Sequence, residues 1–505
     1  MGRWVMAWVV VTCELVACGR TTNLGPTADA GEHTEPTPDS GMDSAGASAS
    51  GGESSTPTSG SGAGGSGEGG ERSTPTSGSS AGGSGAGGGL EACLDLKPPI
   101  RACDDDAESD LGTPVSIVSG DYHSCALFAG GTVKCWGDNQ SGQLGVGRGC
   151  LSYSAKPLPV SHLCGVKALS PGNIHTCALL DDGTVECWGR APAGIQDETS
   201  PMTIDAGSDQ MCPIIASSGR LSMYGSMPGK VPCLTSAVAI AAGNANDCAV
   251  LVDGTVRCWG WRGGGGLGDG TGLVQDSTLD GWARAPVLVS NINAAVGVSA
   301  GPESACAVLS DTTVRCWGQN ESGELGNGTS TPSAIPTQVQ NLSGAVAVTS
   351  NGPASGRAMC AACYGFACAL LRDQTVRCWG EGQNGELGNG TATLVATPTP
   401  VAVSNLSGVV SLTSSAGHLF AILKDGTVRA WGVNQCGELG DGSTTQATAP
   451  VRVQMLDHVA AVSSGVCHAC ALLADGSVEC WGDNSEGQLG NAESPSSLTP
   501  VRVEW

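Results

Sequence analysis

One phrase recurs eight times along this chain, and no other feature restricts the fold so tightly. Its clearest copy is Ala469-Cys470-Ala471-Leu472-Leu473-Ala474-Asp475-Gly476-Ser477-Val478-Glu479-Cys480-Trp481-Gly482. The Trp-Gly pair returns at Trp136, Trp188, Trp259, Trp317, Trp379, Trp431 and Trp481, with a worn copy at Tyr224-Gly225. Successive copies are 52, 36, 35, 58, 62, 52 and 50 residues apart. Self-similarity at such intervals marks a repeat architecture, in which no unit buries its apolar face alone and neighbours share a continuous core.

Within each unit the order of parts is constant. A short alternating run such as Val459-Ala460-Ala461-Val462 leads through a glycine to Cys470-Ala471-Leu472-Leu473, then to the Asp475-Gly476 turn, then to Cys480-Trp481-Gly482. A polar loop such as Asp483-Asn484-Ser485-Glu486-Gly487-Gln488-Leu489-Gly490 follows in several units. Runs such as Pro400-Val401-Ala402-Val403, Pro450-Val451-Arg452-Val453 and Pro500-Val501-Arg502-Val503 close them. Four short strands per unit result, the middle two forming a tight hairpin whose Asp-Gly tip suits a left-handed residue. Four-stranded blades repeated round an axis make an all-β propeller. With 78 glycines in 505 residues and only 14% charged residues, the composition agrees with many short strands joined by turns.

These phrases resemble the regulator of chromosome condensation repeat family, and the resemblance covers residues 114–505. It implies a propeller, commonly of seven blades, that serves as a protein-binding platform. The unit from Ala206-Gly207 to Tyr224-Gly225 leaves two readings open: eight blades, or an irregular seven-bladed ring that absorbs the worn unit. The resemblance also implies that Pro500-Val501-Arg502-Val503 pairs beside the unit beginning at Pro114, closing the ring through β-bonds.

Residues 1–18 read as a targeting segment, with Arg3 ahead of an apolar run too short to span a bilayer as a mature helix. The run ends in Leu15-Val16-Ala17-Cys18, which resembles the lipobox of bacterial lipoproteins. Cys18 would then be the lipidated first residue of the mature chain, and Gly19 after it implies the outer membrane. Ordinary cleavage after Ala17, giving a secreted protein, is the alternative. Residues 19–91 are Gly, Ser, Thr, Pro and acidic, a composition expected to remain a flexible tether with a reach of about 45 Å. A cysteine-containing lead-in, 92–113, precedes the propeller at 114–505.

Six units carry two cysteines ten residues apart: Cys125 and Cys135, Cys177 and Cys187, Cys248 and Cys258, Cys306 and Cys316, Cys368 and Cys378, Cys470 and Cys480. Positions facing across a hairpin lie about 4.5 to 5.5 Å apart, within disulfide range. In the remaining plain unit both positions change together, to Phe420 and Ala430. For the others, proximity suggests Cys93 with Cys103, Cys150 with Cys164, Cys212 with Cys233, Cys360 with Cys363 and Cys436 with Cys467, connectivity being left open. Oxidised pairs suit an exported chain. Metal binding through Cys360-Ala361-Ala362-Cys363 or Cys467-His468-Ala469-Cys470 would need a second ligand pair at structural spacing, and Cys470 is already matched to Cys480. No metal and no cofactor are therefore expected.

His123, His175, His418 and His468 each stand two residues before the first hairpin position, where a ring scatters them around its circumference. A structural hydrogen bond to backbone in each blade accounts for them. The Trp of each Trp-Gly pair reads as blade packing. The Asp/Asn loops lack the alternating acidic ligands of a calcium loop, and no nucleophile elbow or phosphate loop is present. A net charge of −24 argues against nucleic-acid binding. Departures from the repeat are more individual. Trp261-Arg262 replaces the usual Asp-Asn after Trp259-Gly260, and an insertion carries Trp282 and Arg284. Trp and Arg concentrate at binding hot spots, so Trp261, Arg262, Trp282 and Arg284 are the candidate partner-binding residues. Tolerated loop insertions are the competing explanation.

The expected function is that of a non-enzymatic cell-envelope lipoprotein. It would be a monomeric, disulfide-stapled platform for an envelope or extracellular protein or a glycan, touching the membrane through its anchor only. The alternatives are an envelope glycan lyase or hydrolase in the central channel, which needs carboxylates or histidines converging from different blades, and a structural adhesin.

Overall fold

The computed structural model describes residues 112–146, 151–190, 214–215, 221–222, 225–272, 281–351, 365–492 and 495–505. Seven four-stranded antiparallel sheets follow one another along them. These are blades 1 to 7, over residues 114–159, 166–230, 237–288, 295–338, 345–402, 409–452 and 459–502. Strands pair in chain order from inner to outer; in blade 7 they are Val459–Ser464, His468–Leu473, Val478–Gly482 and Ser497–Arg502. Inner strands of successive blades touch in a closed circuit from blade 1 round to blade 7 and back, which places them about the axis. No described helix is long and apolar enough to cross a membrane. Cys18, the tether, and Cys93, Cys103, Cys150, Cys212, Cys360 and Cys363 lie outside the described residues.

Of the two blade counts left open, seven is the one observed. In the worn unit Ile214–Ile215 pairs only with Leu221–Ser222, as a separate two-stranded sheet. The segment after it, Gly225–Lys230, becomes the outer strand of blade 2 by pairing with Val185–Gly189. The worn unit is thus absorbed into blade 2.

Ring closure departs from the β-pairing that the resemblance implied. Ser497–Arg502 pairs with the third strand of its own blade, and blade 1 draws all four strands from residues 114–159. Because Pro500-Val501-Arg502 completes blade 7, no strand is left to cross over. The ends meet through side chains and turns instead. Ser119 N–H donates to Ser463 Oγ at 2.8 Å, Val466 N–H donates to Asp121 O at 3.0 Å, and Ser124 Oγ lies 2.9 Å from His468 Nε2. Ile117, Phe128 and Trp136 share an apolar cluster with Leu472, Val478 and Leu489. Trp505 meets Phe128 and Trp136 edge-on, with ring centroids 5.1 and 5.8 Å away.

The hairpin tips explain the repeated Asp-Gly-Thr. Asp253 Oδ1 accepts from Thr255 N–H at 2.9 Å and from Thr255 Oγ1–H at 2.7 Å, while Gly254 takes φ +79°. That left-handed conformation costs a side-chain-bearing residue roughly 1 kcal/mol or more. Blades 4 and 5 nevertheless place Thr312 and Gln374 there, at φ +70° and +66°. Gln374→Gly is therefore expected to stabilise the chain by about 1 kcal/mol, read as a higher urea midpoint.

Candidate functional site

The seams between blades carry most of the buried chemistry. Eight residues after each Trp in six blades stands a loop leucine: Leu144, Leu267, Leu325, Leu387, Leu439 and Leu489. Each is buried in the seam ahead of it. The carbonyl of the residue preceding that leucine accepts the indole N–H of the next blade. Trp136 donates to Gln488 O at 2.9 Å, Trp188 to Gln143 O at 2.9 Å and Trp317 to Gly266 O at 3.1 Å. Trp379, Trp431 and Trp481 donate to the carbonyls of Glu324, Glu386 and Glu438 at 2.8, 3.0 and 2.7 Å. The glycine after the leucine lies flat on the indole. A Cβ at Gly326, Gly440 or Gly490 would stand 2.8, 2.7 or 2.8 Å from Nε1, so no larger residue fits. Sequence reading found the Trp but not this loop-to-indole contact, although the fixed Trp-to-Leu-Gly spacing was its visible trace.

The four histidines are buried, and the Nε2 atoms of His123, His175 and His468 meet side chains of the next blade, where sequence suggested a backbone partner alone. His123 Nε2 lies 2.8 Å from Thr176 Oγ1, His175 Nε2 3.0 Å from Asp247 Oδ1 and His468 Nε2 2.9 Å from Ser124 Oγ. The partner is always the residue after the histidine-equivalent position in the following blade. That position crosses the seam, whereas the nearby backbone amides are already used in the sheet. In blade 6 the pattern fails: the equivalent residue is Ala469, and neither ring nitrogen of His418 has a partner. Burial holds the His418 imidazole down to about 3, hence neutral, against the edge of Phe420. Ala469→Ser would supply the hydroxyl that Ser124 supplies elsewhere. It is expected to add about 1 kcal/mol to unfolding stability by thermal or urea melting.

Six hairpins carry a disulfide between their second and third strands. Cys125 is bonded to Cys135, Cys177 to Cys187 and Cys248 to Cys258. Cys306 is bonded to Cys316, Cys368 to Cys378 and Cys470 to Cys480. Their Cα atoms stand 4.0 to 4.1 Å apart, closer than the 4.5 to 5.5 Å reckoned from facing strand positions. Cys135, Cys258, Cys316 and Cys378 are all wholly buried. These cysteines therefore hold the hairpins from within the blades and present nothing to a partner. Phe420 faces Ala430 in blade 6 and packs edge-on against Trp481. Cys436–Cys467 joins the blade 6 loop to the blade 7 turn, and Cys164 and Cys233 are also disulfide-bonded. Among the described residues one group of metal-type donors converges, His175, Cys177 and Asp247. Cys177 is tied to Cys187 and offers no thiolate, and His175 Nε2 already faces Asp247, so the set does not suit a metal. Cys467 and Cys470 are likewise both in disulfides.

Carboxylates do approach one another from two blades. Burial pushes Glu324 of blade 4 up to about 7, with the Glu321 and Glu381 carboxylates adding to it. Burial, and then the Glu386 carboxylate, raise Glu381 of blade 5. Each buried loop glutamate, however, braces its own turn. Glu324 Oε2 accepts from Ser322 N–H at 2.9 Å, Glu386 Oε2 from Asn384 N–H at 2.8 Å and Glu438 Oε2 from Cys436 N–H at 2.7 Å. Gln143 and Gln488 make the same brace in blades 1 and 7, through Oε1. A neutral amide therefore performs the task that Glu324 performs at a charge cost. A folded-state pKa above the unfolded value means stability present at low pH and lost as pH rises from 4.5 through about 7. Glu324→Gln is expected to exceed the parent in stability by about 1 to 3 kcal/mol at pH 8, a gain that shrinks toward pH 4 in paired urea titrations.

Blade 3 holds the candidate partner-binding residues. Trp261 ends its third strand and Trp282 begins its outer strand, directly paired in register. The Trp261 indole presses on Gly263 and Gly281, where added Cβ atoms would lie 2.0 and 2.6 Å from the ring. Arg262 Nη1 donates to Asp269 Oδ2 at 2.8 Å and to Thr271 Oγ1 at 3.0 Å, which fixes it to its own loop. Arg284 lies in the same outer strand as Trp282; the side chains of these two residues are outside the described part. Gly263–Gly265 forms a single 3-10 turn, and Gly265 packs on Ala334 of blade 4.

Comparison with known proteins agrees with this architecture. The Regulator of chromosome condensation (RCC1) repeat is matched at residues 115–143, 295–324, 409–438 and 459–488, and by a second description of it at 313–353, 375–422 and 425–472. Human E3 ubiquitin-protein ligase HERC2 is 27% identical over 338 residues, 66% of this chain but 6% of that protein. The Arabidopsis thaliana ultraviolet-B receptor UVR8 is 27% identical over 279 residues, 46% of this chain and 62% of its own length. The chain thus spans less than two thirds of these curated relatives. Among solved structures, Prp20p from Saccharomyces cerevisiae, described with its binding to Gsp1p and histones, superposes with a TM-score of 0.58 at 19% identity. That match covers 78% of this chain and 87% of Prp20p. Human WBSCR16 gives a TM-score of 0.59 at 18% identity over 74% and 95% of the two chains. At such identities the structural likeness concerns the fold.

Proposed function

We propose that this chain, whose ring is built of RCC1 repeats, is a non-enzymatic protein-binding platform exported to the cell envelope. The observation that carries the reading is the contrast between a largely uniform scaffold and the units that depart from it. Six blades hold a bonded hairpin and six seams repeat one loop-to-indole contact, whereas blade 3 departs with the Trp261–Trp282 pair. Rigid scaffolds with individual loops are the arrangement binding proteins favour. Prp20p, of the same fold, binds the proteins Gsp1p and histones, which supports a protein rather than a small molecule as the partner class. Disulfides throughout the ring suit an oxidising compartment, in keeping with export and with a lipid anchor at Cys18 of a bacterial lipoprotein. A glycan remains the second partner class. The enzymatic alternative is disfavoured by the loop glutamates, whose turn-bracing explains their positions.

The test is capture from the producer's envelope extract on the immobilised oxidised chain, with the double variant Trp261→Ala, Trp282→Ala as the control. A defined protein retained by the parent and lost by the double variant is the expected result. Release of glycan fragments without retention would replace the platform reading by the enzymatic one. Incorporation of labelled palmitate that disappears in Cys18→Ala would separately support the anchor.

A further inference from the structure

An open cleft of about 640 Å³ lies between blades 3 and 4. Its lining includes Thr255 at the blade 3 hairpin tip, Leu288 at the end of the outer strand, Ser290, Asn291 and Asn293 of the linker, and Arg315 of blade 4. Arg315 is the one charged residue of that lining. Its Nε–H is buried without an acceptor, and among the described residues it joins no hydrogen bond or ion pair. The terminal nitrogens are not buried and so reach solvent. In blade 3 the equivalent Arg257 instead donates through Nη1 to Pro286 O at 3.2 Å. Asp311, whose carboxylate feels the Arg315 charge, is held by Thr313 through N–H at 3.0 Å and Oγ1–H at 2.7 Å. The corresponding linker between blades 6 and 7 supplies its own carboxylate. There Arg452 and Asp457, at the positions of Leu288 and Asn293, pair at 2.8 Å, and Glu479 stands where Arg315 does. A guanidinium donates and never accepts, so one that is partly stripped of water and unpaired draws an anion.

We propose that this cleft receives the carboxylate of an acidic side chain from the partner protein. The terminal nitrogens of Arg315 donate to both carboxylate oxygens. Asn291 and Asn293 are exposed on either side of the buried Ile292, which anchors the linker and leaves their amides to bond the incoming backbone. Leu288, 51% exposed, covers the methylenes of a glutamate. No aromatic ring lines the cleft, so a sugar would find no face to stack on, which favours a protein carboxylate over a uronic acid. The net charge of −24 opposes a strongly acidic partner, and the recognised group is therefore a single carboxylate in an otherwise uncharged or basic segment. This inference rests on the protein-binding reading and gives the partner's chemistry. Trp261 and Trp282 sit at the opposite end of the strand pair that Arg257 and Leu288 close, so capture through the tryptophans would stand if the cleft failed.

The experiment titrates the full chain, isotopically labelled at arginine nitrogens, with the capped amino acid N-acetyl-L-glutamate α-methylamide and follows the Nε–H resonances. Arg315→Lys identifies the Arg315 resonance by its disappearance. A saturable shift of that resonance is expected. The neutral glutamine counterpart should give none, and Asn293→Asp, an exposed change that puts the chain's own carboxylate in the cleft, should weaken binding about tenfold. Absence of a saturable shift, an equal response to the glutamine compound, or glucuronate or sulfate binding as tightly as the glutamate compound overturns the proposal. Should Arg315→Lys lose its near-ultraviolet circular dichroism, the resonance displaced by Asn293→Asp identifies Arg315 instead.

Discussion

Everything in this ring depends on a blade reaching its neighbour with a backbone carbonyl at the height of an indole nitrogen. A single blade of four short strands cannot bury its own faces, so the core exists only where two blades meet. There the indole supplies the largest apolar body and also a donor that must be satisfied once water is excluded. The loop from the preceding blade answers both needs: Leu325 fills space beside Trp379 while the Glu324 carbonyl receives its N–H. That contact explains the left-handed glycine after the leucine and the glutamine or glutamate before it, which holds the loop in shape through its own side chain. The disulfides work at a different level. The six hairpin bonds tie second to third strand within a blade, whereas Cys436–Cys467 bridges blade 6 to blade 7.

Polar seam contacts show how closely a repeat must agree with itself. A histidine in one blade is satisfied only when the next blade offers a hydroxyl or carboxylate one position later, as Thr176, Asp247 and Ser124 do. His418 faces Ala469 and is left with two idle nitrogens in an apolar setting. The sites where units disagree are therefore where stability is lost and where specificity can reside.

The fold was legible because its signal is repeated: the Trp-Gly pairs, the Asp-Gly tips and the ten-residue cysteine spacing each recur, and one unit interprets the next. Blade number was legible only as a choice between two. Whether Ile214–Ile215 and Leu221–Ser222 form a blade depends on what pairs with them, which local pattern does not state. Ring closure was misjudged for a related reason. Pro500-Val501-Arg502 is equally competent to pair with its own blade or with another, and the choice lies in connectivity rather than composition. The direction of the histidine bonds was missed because an isolated His-x-Cys shows nothing across the seam. The pairing of Trp261 with Trp282 was likewise invisible, since 20 intervening residues separate them in the chain.

The manner of closure has a further meaning. Each blade is made from one uninterrupted stretch of chain, and the junction of blade 7 with blade 1 uses kinds of contact that also occur at junctions inside the sequence: an indole on a carbonyl, a histidine on a hydroxyl, a shared apolar cluster. Physically the ring has no seam of its own that marks a beginning. The order of blades round the axis is fixed, but the point at which the polypeptide is opened is arbitrary, so this is a circular object that happens to be encoded as a line.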